Sequence, residues 1–365
     1  MWEKNNLLRV FVVISFLLSC QELSAKDPIR GVWMTNVGSR VMYSTDSIAR
    51  AVKQCKEQGI NHIFVVVWNK GMTLYPSEVL QKHIGVAQDP LFKGRDPIRE
   101  LIDLAHAQKI KVHAWFEFGF SFAYRDTLSS LWFKRYPDWL GRDKKGAVLM
   151  KNGFYWWNAL HPGPQQLLKE LILEVVEKYP IDGVQGDDRL PAMPSEGGWD
   201  PYTRRLYTGE TGKRLEDGQL DESYFLQWKA DKLSAYGKAI YAAVKEKRKS
   251  CIVSWAPSIY PWSKQQYLQD WPKWLEGGYA DYIFPQLYRY KLDAYEKILK
   301  ELKEQLPDNK KKKVFPGILT SLGDGYQADE TMLRGMIDLN RKYGFEGEVL
   351  FYYETLNRFS KNIYQ

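Results

Sequence analysis

The stretch Ile181-Asp-Gly-Val-Gln-Gly-Asp-Asp-Arg-Leu-Pro191 restricts the fold more narrowly than any other part of the sequence. Its first half is short and apolar, as in a buried strand, and it runs into two adjacent carboxylates, Asp187 and Asp188, followed by Arg189. Because side chains alternate between the faces of a strand, Gln185 and Asp187 share one face and Asp188 points to the other. Barrel enzymes place catalytic groups at the carboxyl ends of their strands, so the pattern predicts a catalytic acid. A surface turn with an aspartate that caps a helix is the alternative.

Eight strand-like segments, each short and rich in Val, Ile, Phe or Trp, alternate with amphipathic helices from Arg30 onward. Apolar runs of this kind are typical of strands that are buried on both faces, as in parallel sheets. The alternation therefore predicts an α/β fold, a (β/α)8 TIM barrel with long βα loops after strands 3 and 4. The predicted strands are Arg30–Asn36, His62–Asn69, Lys111–Phe118, Ile181–Asp187, Ile252–Pro257, Tyr282–Tyr288, Val314–Leu319 and Glu348–Tyr353.

The segments between these strands repeat their apolar residues with the period of a helix. The two long loops are Tyr124–His161 and Pro191–Ser223, and ordered βα loops of this length usually shape a substrate cleft. An open doubly wound sheet is the alternative fold, but it needs a glycine-rich phosphate loop after its first strand, and Asn36–Arg40 is not one. The predicted helices are Ser44–Gly59, Asp96–Gln108, Pro164–Tyr179, Tyr224–Lys247, Gln265–Leu275, Leu292–Leu306 and Asp329–Tyr343.

The N-terminus is predicted to be an export signal. Lys4 and Arg9 provide a basic start, and the apolar run Leu7–Leu18 is too short to span a bilayer. It ends at a lipobox-like Leu-Leu-Ser-Cys, which predicts that Cys20 is lipidated and anchors the protein to the outer membrane, because Gln21 gives no inner-membrane retention signal. An ordinary cleaved signal with a coincidental cysteine is the alternative. The predicted organisation is a signal peptide at residues 1–20, a tether at 21–29 and a single TIM barrel domain at 30–365.

Composition narrows the possible functions. Hydrophobic residues make up 44% and aromatic residues 15% of the 365 residues, so a sizeable core is possible and many rings are left for a cleft. The apolar C–H face of a sugar stacks on such rings. Cys55 and Cys251 are predicted to be buried thiols, and the five scattered histidines predict neither a metal site nor a cofactor. The net charge of +8 favours approach to an acidic polymer. Nothing in the sequence resembles a nucleic-acid module, and no obligate protein partner is evident.

Four carboxyl groups end predicted strands and are candidate catalytic residues, in the order Asp187, Glu117, Asp188 and Glu354. Glycoside hydrolysis needs two carboxyl groups across the scissile bond, one of which donates a proton. Each acid also has a structural alternative. Glu354 could form an ion pair at the rim, Asp188 could pair with the following arginine or cap a turn, and Glu117 could be a buried hydrogen-bonding partner.

The same strand ends are unusually polar and aromatic, which is the strongest sign of a carbohydrate site. Tryptophan rings are predicted to stack on sugar, including the Trp156–Trp157 pair, and the polar groups to bind hydroxyls. The predicted substrate-binding residues are Trp33, Asn36, Trp68, Asn69, His113, Trp115, Gln185, Trp255, Gln286, Tyr288 and Tyr352.

Four segments resemble the signature segments of the glycosyl hydrolase-like family 10 lipoproteins: Arg30-Gly-Val-Trp33, His113-Ala-Trp-Phe116, Asp182-Gly-Val-Gln-Gly-Asp-Asp188 and Pro285-Gln-Leu-Tyr288. The resemblance runs from about Arg30 to Glu354. It implies a TIM barrel, export as an envelope lipoprotein, and glycosidase activity on an oligo- or polysaccharide, with peptidoglycan glycan strands stripped of stem peptides as a suggested substrate.

The strand-four segment is also similar to the Asp-Gly-x-x-x-Asp pattern of α-amylase-like barrels, whose final aspartate is the nucleophile and corresponds to Asp187. Two features depart from these patterns. The family often has His or Arg where this chain has Gln185, and an aromatic residue where it has Arg189. No acid ends strand five, where α-amylases place their proton donor, so Glu117 is the candidate donor here.

Three functions follow as hypotheses. The first is an envelope-anchored glycoside hydrolase that uses Asp187 as nucleophile or base and Glu117 or Glu354 as acid. The second is a glycan-binding lipoprotein of the same fold that does not cleave, in which amide substitution of Asp187 and Glu117 would leave glycan affinity intact. The third, an enzyme on a non-sugar substrate, has no phosphate loop, metal cluster or Cys–His pair in its support.

Overall fold

The computed structural model describes residues 28–125, 129–215, 220–323, 325–361 and 363–364. The predicted signal peptide, Cys20 and most of the tether lie outside the described residues. In the described ranges the strands are β1 Arg30–Met34, β2 His62–Val66, β3 Trp68–Asn69, β4 Met72–Thr73, β5 Lys111–Phe116, β6 Ser121–Tyr124, β7 Met150–Lys151, β8 Phe154–Trp156, β9 Gly183–Gly186, β10 Ile252–Trp255, β11 Tyr282–Ile283, β12 Gly317–Leu319 and β13 Glu348–Phe351.

Eight of these strands form one parallel sheet in the order β11-β10-β9-β5-β2-β1-β13-β12. Its two edges meet: isolated parallel bridges join Ile283 to Val314 and Gln286 to Gly317. The Gly317 N–H donates to the Pro285 carbonyl over 2.8 Å, so the edges are hydrogen-bonded. The curled sheet thus closes on itself as a TIM barrel, which confirms the predicted fold class.

Seven of the eight barrel strands end earlier than predicted, and β12 ends at Leu319 as predicted. The fourth barrel strand, β9, stops at Gly186, one residue before Asp187. The sixth barrel strand, β11, stops at Ile283, three residues before Gln286. Beyond these points single backbone hydrogen bonds still join neighbouring segments: the Ala256 N–H donates to the Gly186 carbonyl over 2.8 Å, and the Gln286 N–H donates to the Pro257 carbonyl over 2.9 Å.

The helices pack around the barrel, and their starts follow simple capping chemistry. The Ser44 hydroxyl accepts the N–H of Ser47 over 3.1 Å at the first helix. The single predicted helix Gln265–Leu275 is wrong: two short helices occupy this region, and Leu268 at φ +63° ends the first. No helix in the described ranges is both long and apolar enough to span a bilayer. The helices are α1 Thr45–Glu57, α2 Glu78–Ile84, α3 Pro97–Ala107, α4 Ser129–Arg135, α5 Pro162–Lys178, α6 Pro201–Thr211, α7 Glu222–Lys247, α8 Trp262–Tyr267, α9 Trp271–Glu276, α10 Leu292–Glu304, α11 Asp308–Lys311 and α12 Glu330–Lys342.

Aromatic side chains fill the barrel interior. The ring of Trp33 lies 6.3 Å from those of Phe64, Trp115 and Phe351, and Phe64 stacks on His113 at 4.5 Å. Burying one large side chain contributes about 1.5–3 kcal/mol, so this packing is a substantial part of the core energy. The barrel is therefore not a pore but a packed core, whose side chains form a floor below the carboxyl ends of the strands. Outside the barrel, Cys55 and Cys251 are buried free thiols, as predicted.

The insertion after β5 carries its own three-stranded sheet, in the order β6-β8-β7. Trp157 lies 4.9 Å from Trp132 and 5.0 Å from Phe122, ring to ring. Trp156 and Trp157 are 1% and 0% exposed. The prediction that the Trp156–Trp157 pair stacks on sugar is therefore wrong, because both rings are covered by the insertion that they hold together.

Candidate active site

Polar side chains from three strand ends meet at the carboxyl end of the barrel, which we call the mouth. Trp115 of β5 lies opposite Gln185 of β9, and Glu117 and Asp187 stand two residues beyond this pair. Residues two apart share a face, so both carboxyl groups continue the interior face of the barrel. Gln286, beyond β11, reaches the same place from across the mouth.

Glu117 is only 7% exposed and is held through one carboxylate oxygen. The Thr35 hydroxyl donates to Oε2 over 2.9 Å, and the Asn69 amide donates to the same oxygen over 2.7 Å. Both partners are uncharged. Among the described residues no donor contacts Oε1, which is therefore the oxygen that can carry a proton to a ligand.

Asp187 is 3% exposed and is held through both carboxylate oxygens. The Gln286 amide donates to Oδ1 over 2.7 Å, and the Arg189 guanidinium donates to Oδ2 over 3.1 Å. Gln286 is fixed in turn, because the same nitrogen donates to the Ala256 carbonyl over 2.9 Å. Donors on both oxygens favour the ionised carboxylate.

Arg189 links the acids of the mouth. Its Nε donates to the Glu117 carbonyl over 2.8 Å, and its guanidinium lies 3.1 Å from both Asp187 and Asp188. The guanidinium also faces the Phe154 ring, 4.9 Å from the ring centre. The pairing of Asp188 with Arg189, raised above as a structural alternative, is present, and it coexists with the carboxyl cluster.

Burial and charge act on the two acids of the mouth in opposite directions: burial raises both pKa values, and Arg189 lowers both. Burial raises the pKa of Glu117, although the charge of Arg189 and the hydrogen bonds from Thr35 and Asn69 oppose this shift. Burial also raises the pKa of Asp187, and the charge of Asp188 raises it further. Burial and the same two aspartates raise the pKa of Tyr288 well above its usual value. Two buried carboxyls with raised pKa values in one cleft are typical of acid–base catalysis.

A glycine brings the loops after β5 and β9 into contact. Gly119 has φ +47°, and a Cβ there would lie 2.1 Å from the Arg189 carbonyl oxygen. The N–H of the next residue, Phe120, donates to that same oxygen over 2.9 Å. The loop after β5 is therefore pressed against the loop after β9 at a point where only glycine fits.

Replacing Gly119 by alanine is expected to lower the free energy of unfolding by about 2–4 kcal/mol, because the backbones of the two loops must separate. Urea unfolding measures the loss. Gly94→Ala is the matched control, since Gly94 has φ +83° but nothing lies within 4 Å of an added Cβ. Equal losses in the two variants would show that backbone conformation alone, and not the contact, decides stability here.

Several predicted sugar-binding residues lie below the mouth. The Trp33 indole donates to Gln185 over 2.7 Å, and Gln185 donates to Ser254 over 3.3 Å. His113 is 0% exposed and contacts His62 at 2.9 Å, at the opposite end of the barrel. Direct sugar binding by these three residues is therefore wrong, because packing and hydrogen bonds within the barrel floor already occupy them.

The remaining barrel tryptophans have no exposed ring face either. Trp68, Trp115 and Trp255 are 0%, 2% and 2% exposed, so their predicted role as stacking platforms is wrong. Trp68 donates to the Gly119 carbonyl over 3.0 Å and thus supports the loop contact. Asn69 and Gln286, predicted to bind sugar hydroxyls, donate hydrogen bonds to Glu117 and Asp187 respectively.

The rim of the mouth retains four of the predicted residues: Asn36, Tyr288, Tyr352 and Glu354, all partly exposed. Glu354 does not join the carboxyl cluster. Its charge raises the pKa of Tyr352, while burial is the larger cause of that shift. Asp188 and Arg189 shift the pKa values of both Glu117 and Asp187, and Glu117 also raises that of Asp187.

Two residues of the site escaped the sequence interpretation. Gln269 donates to the Asp187 carbonyl over 3.0 Å from the segment between α8 and α9. Tyr267 lies close enough that Asp188, after burial, helps to raise its pKa to about 12. Neither residue follows a strand, so a search for polar residues at strand ends misses both. Thr35 directly follows β1, and the same search could have found it.

A family model described as glycosyl hydrolase-like 10 matches residues 28–328. The chain belongs to this family. The matched range contains Glu117, Asp187 and Gln286 and ends before Tyr352 and Glu354. Membership in the glycosyl hydrolase-like 10 family confirms the resemblance drawn from the four strand segments.

Curated relatives carry the same kind of name. Glycosyl hydrolase DigH of Escherichia coli K12 is 25% identical over 317 residues, which cover 72% of this chain and 66% of DigH. Glycosyl hydrolase YngK of Bacillus subtilis is 21% identical over 309 residues, which cover 71% of this chain and 54% of YngK. This chain therefore spans just under two thirds of DigH and about half of YngK.

Solved structures show the same barrel. The glycoside hydrolase domain of PgaB (BpsB) from Bordetella bronchiseptica superposes with a TM-score of 0.69 at 13% identity, covering 90% of this chain and 95% of that one. Alpha-L-fucosidase isoenzyme 2 from Paenibacillus thiaminolyticus gives 0.66 at 16% identity, covering 91% and 48%. At these identities the likeness concerns the fold, which is that of TIM-barrel glycoside hydrolases.

Proposed function

We propose that this protein is a glycoside hydrolase in which Asp187 and Glu117 carry the reaction. The observation that supports this assignment is the unequal way the two buried carboxyls are held. Asp187 receives a donor on each oxygen, one of them cationic, whereas Glu117 receives neutral donors on Oε2 alone. The first environment favours a carboxylate and the second leaves an oxygen for a proton, which is the division of roles that glycoside hydrolysis needs.

In the proposed reaction the protonated Glu117 donates its proton to the glycosidic oxygen as the bond from that oxygen to the anomeric carbon breaks. Asp187 either attacks the anomeric carbon, forming a glycosyl ester that water later hydrolyses, or takes a proton from the water that attacks directly. Both routes consume one water and yield one new hemiacetal and one new hydroxyl. Gln286 and Arg189 hold Asp187 in place during either route.

The proposed location is the outer membrane, through a lipid on Cys20, and the proposed substrate is the peptide-stripped glycan strand of peptidoglycan. The lipobox-like sequence supports the location, although it lies outside the described residues. The glycosyl hydrolase-like family and the barrel of glycoside hydrolases support a carbohydrate substrate. A lipoprotein held at the envelope would meet this polymer directly.

Product analysis by mass spectrometry tests the function. The purified mature protein is incubated with peptide-stripped glycan strands, intact peptidoglycan, and α- and β-linked plant glycans. Shortened oligosaccharides from one substrate establish hydrolysis and identify the bond, and the anomer first released distinguishes the two routes. Binding to a glycan without products from any of them would indicate a capture protein instead.

The pH profile is expected to separate the two acids. The raised pKa of Glu117 keeps it protonated to higher pH than an exposed glutamate, so activity falls only as the pH rises through that raised pKa. Glu117→Gln is expected to lower kcat by about 100-fold and to remove this alkaline limb, because glutamine does not titrate. Measurement of kcat/KM against pH checks both. If Glu117→Gln keeps the alkaline limb, another titrating group causes that limb.

A further inference from the structure

The end of the barrel opposite the mouth contains a separate cavity, which we call the basal basin. It has a volume of about 670 Å³ and is lined by residues at or just before the first residues of seven of the eight barrel strands. Asn61 and His62 line it at β2, and Asp281 and Tyr282 line it at β11. The basin is therefore the amino-terminal face of the barrel and shares no residue with the mouth.

The basal basin is strongly basic. Five lysines and two acids line it, a net charge of +3: Lys109, Lys111, Lys245, Lys312, Lys313, Asp281 and Glu346. Lys245 is already neutralised, since its ammonium lies 2.6 Å from Asp281. In the described part of the chain the other four lysines have no carboxylate within ion-pair distance. Like charges crowded in one concavity destabilise the fold unless an anion joins them, and ammonium groups are good partners for phosphate.

The inner wall of the basin adds no negative charge. His62 is 6% exposed and contacts His113 inside the barrel. Burial, with a smaller contribution from Lys111, lowers the pKa of His62 to about 3, so the ring is neutral at physiological pH. An anion that enters the basin thus meets four lysines without an ion-pair partner in the described part of the chain, a neutral His62 and one acid, Glu346.

The chain enters the barrel at this basin. Pro28 and Ile29 line it and lead directly into β1. Cys20 stands eight residues before Pro28, and eight extended residues span at most about 28 Å. A lipid on Cys20 would therefore hold the basal basin within about 28 Å of the membrane surface.

We propose that the basal basin binds the phosphate groups of anionic lipid headgroups and docks the barrel on the membrane. This rests on the lipid anchor of the proposed function, and not on catalysis. Lysine clusters beside an anchor are attracted to anionic lipids within about 10 Å of the surface. Docking on this face directs the mouth away from the bilayer, toward a polymer that lies beyond it.

Lysine reactivity in vesicles tests the proposal. The processed lipoprotein, its acylation confirmed by mass, is reconstituted into vesicles of phosphatidylethanolamine alone or mixed with phosphatidylglycerol, and acetylated with a membrane-impermeant reagent. Lys109, Lys111, Lys312 and Lys313 are expected to react about fivefold more slowly in the mixed vesicles. Lys144, whose side chain is 67% exposed on the insertion after β5, is the internal control and should react equally in both.

A charge-matched pair of variants makes the test specific. Lys312→Glu/Lys313→Glu is expected to abolish the protection of Lys109 and Lys111, whereas Lys144→Glu/Lys145→Glu, with the same change in net charge, should preserve it. Turnover of soluble glycan, measured on the same samples, should be unchanged by Lys312→Glu/Lys313→Glu, since both lysines line the end of the barrel opposite the mouth. Absence of glycan turnover in the unsubstituted protein would refute the proposed hydrolase activity but would leave the docking proposal unaffected.

Four results would overturn the docking proposal. The first is equal lysine reactivity in the two kinds of vesicle. The second is equal loss of protection in the two double variants, which would reduce the effect to net charge. The third is protection by dissolved inorganic phosphate but not by phosphatidylglycerol vesicles, which would make the basin a site for a soluble anion. A mature protein without acyl chains would remove the anchor and the proposal with it.

Discussion

Asp187→Asn is expected to lower kcat by about 1,000-fold or more while leaving glycan binding and the fold intact. The amide is nearly isosteric with the carboxylate, so Gln286 and Arg189 keep a neighbour of the same shape. However, an amide can neither attack the anomeric carbon nor accept a proton from water. Kinetics on the substrate identified by product analysis, with thermal unfolding in parallel, measure the effect.

The matched control is Asp182→Asn, the same substitution at the other end of the same strand. Asp182 accepts the Val112 N–H over 2.8 Å and lies 2.9 Å from His106, outside the mouth. This variant should lose some stability but little kcat. If Asp187→Asn retained wild-type kcat, the role of Asp187 would be refuted, and Asp188 would be the next carboxyl to test.

Arg189→Met is expected to lower the free energy of unfolding by about 3–5 kcal/mol at neutral pH. Arg189 is the cation beside Asp187 and Asp188, and its side chain is only 15% exposed. Methionine keeps much of the apolar contact with Phe154 but leaves the two carboxylates unpaired at close range. Urea unfolding at two pH values measures the loss.

The pH dependence of this loss has a definite sign. Burial and Asp188 raise the pKa of Asp187 in the folded state, and removal of Arg189 raises it further. The loss should therefore be largest above that raised pKa, where the carboxylate must ionise without its partner. It should shrink as the pH falls toward about 4, the usual range of an aspartate, because a protonated carboxyl needs no cation.

Arg205→Met, on the exposed face of α6, is the control for loss of one positive charge. It should change stability by less than about 0.5 kcal/mol at either pH. A loss for Arg189→Met that is equal at both pH values would show that Arg189 acts by packing and by its bond to the Glu117 carbonyl. The ion pair would then be incidental to stability.

Sequence pattern was sufficient for the barrel because its signals are local. An apolar run such as His62–Val66 is buried on both faces wherever it pairs, and a helix such as Thr45–Glu57 carries its own cap at Ser44. The same alternation placed Asp187 on the face of Gln185, and Glu117 on the face of His113 and Trp115, each within its own strand. These inferences need only periods of 2 and 3.6 residues.

The tryptophans show where such inference fails. Trp33, Trp68 and Trp255 end strands, just as the two catalytic candidates do, and the sequence offers no difference between a ring over the mouth and a ring beneath it. The difference depends on whether a neighbouring element covers the ring. For Trp157 that neighbour is Trp132, in the same insertion but 25 positions away in sequence.

By itself, the sequence determined the order of strands and helices, the strand ends at which carboxyls lie, and the basic charge of the chain, since each depends on residues close together in the chain. Only the tertiary structure decided which donors hold which carboxylate, because Thr35, Asn69 and Gln286 reach the mouth from three other strand ends. The tertiary structure also brought lysines from separate loops into the basal basin, because closure of the barrel sets the distances between those loops.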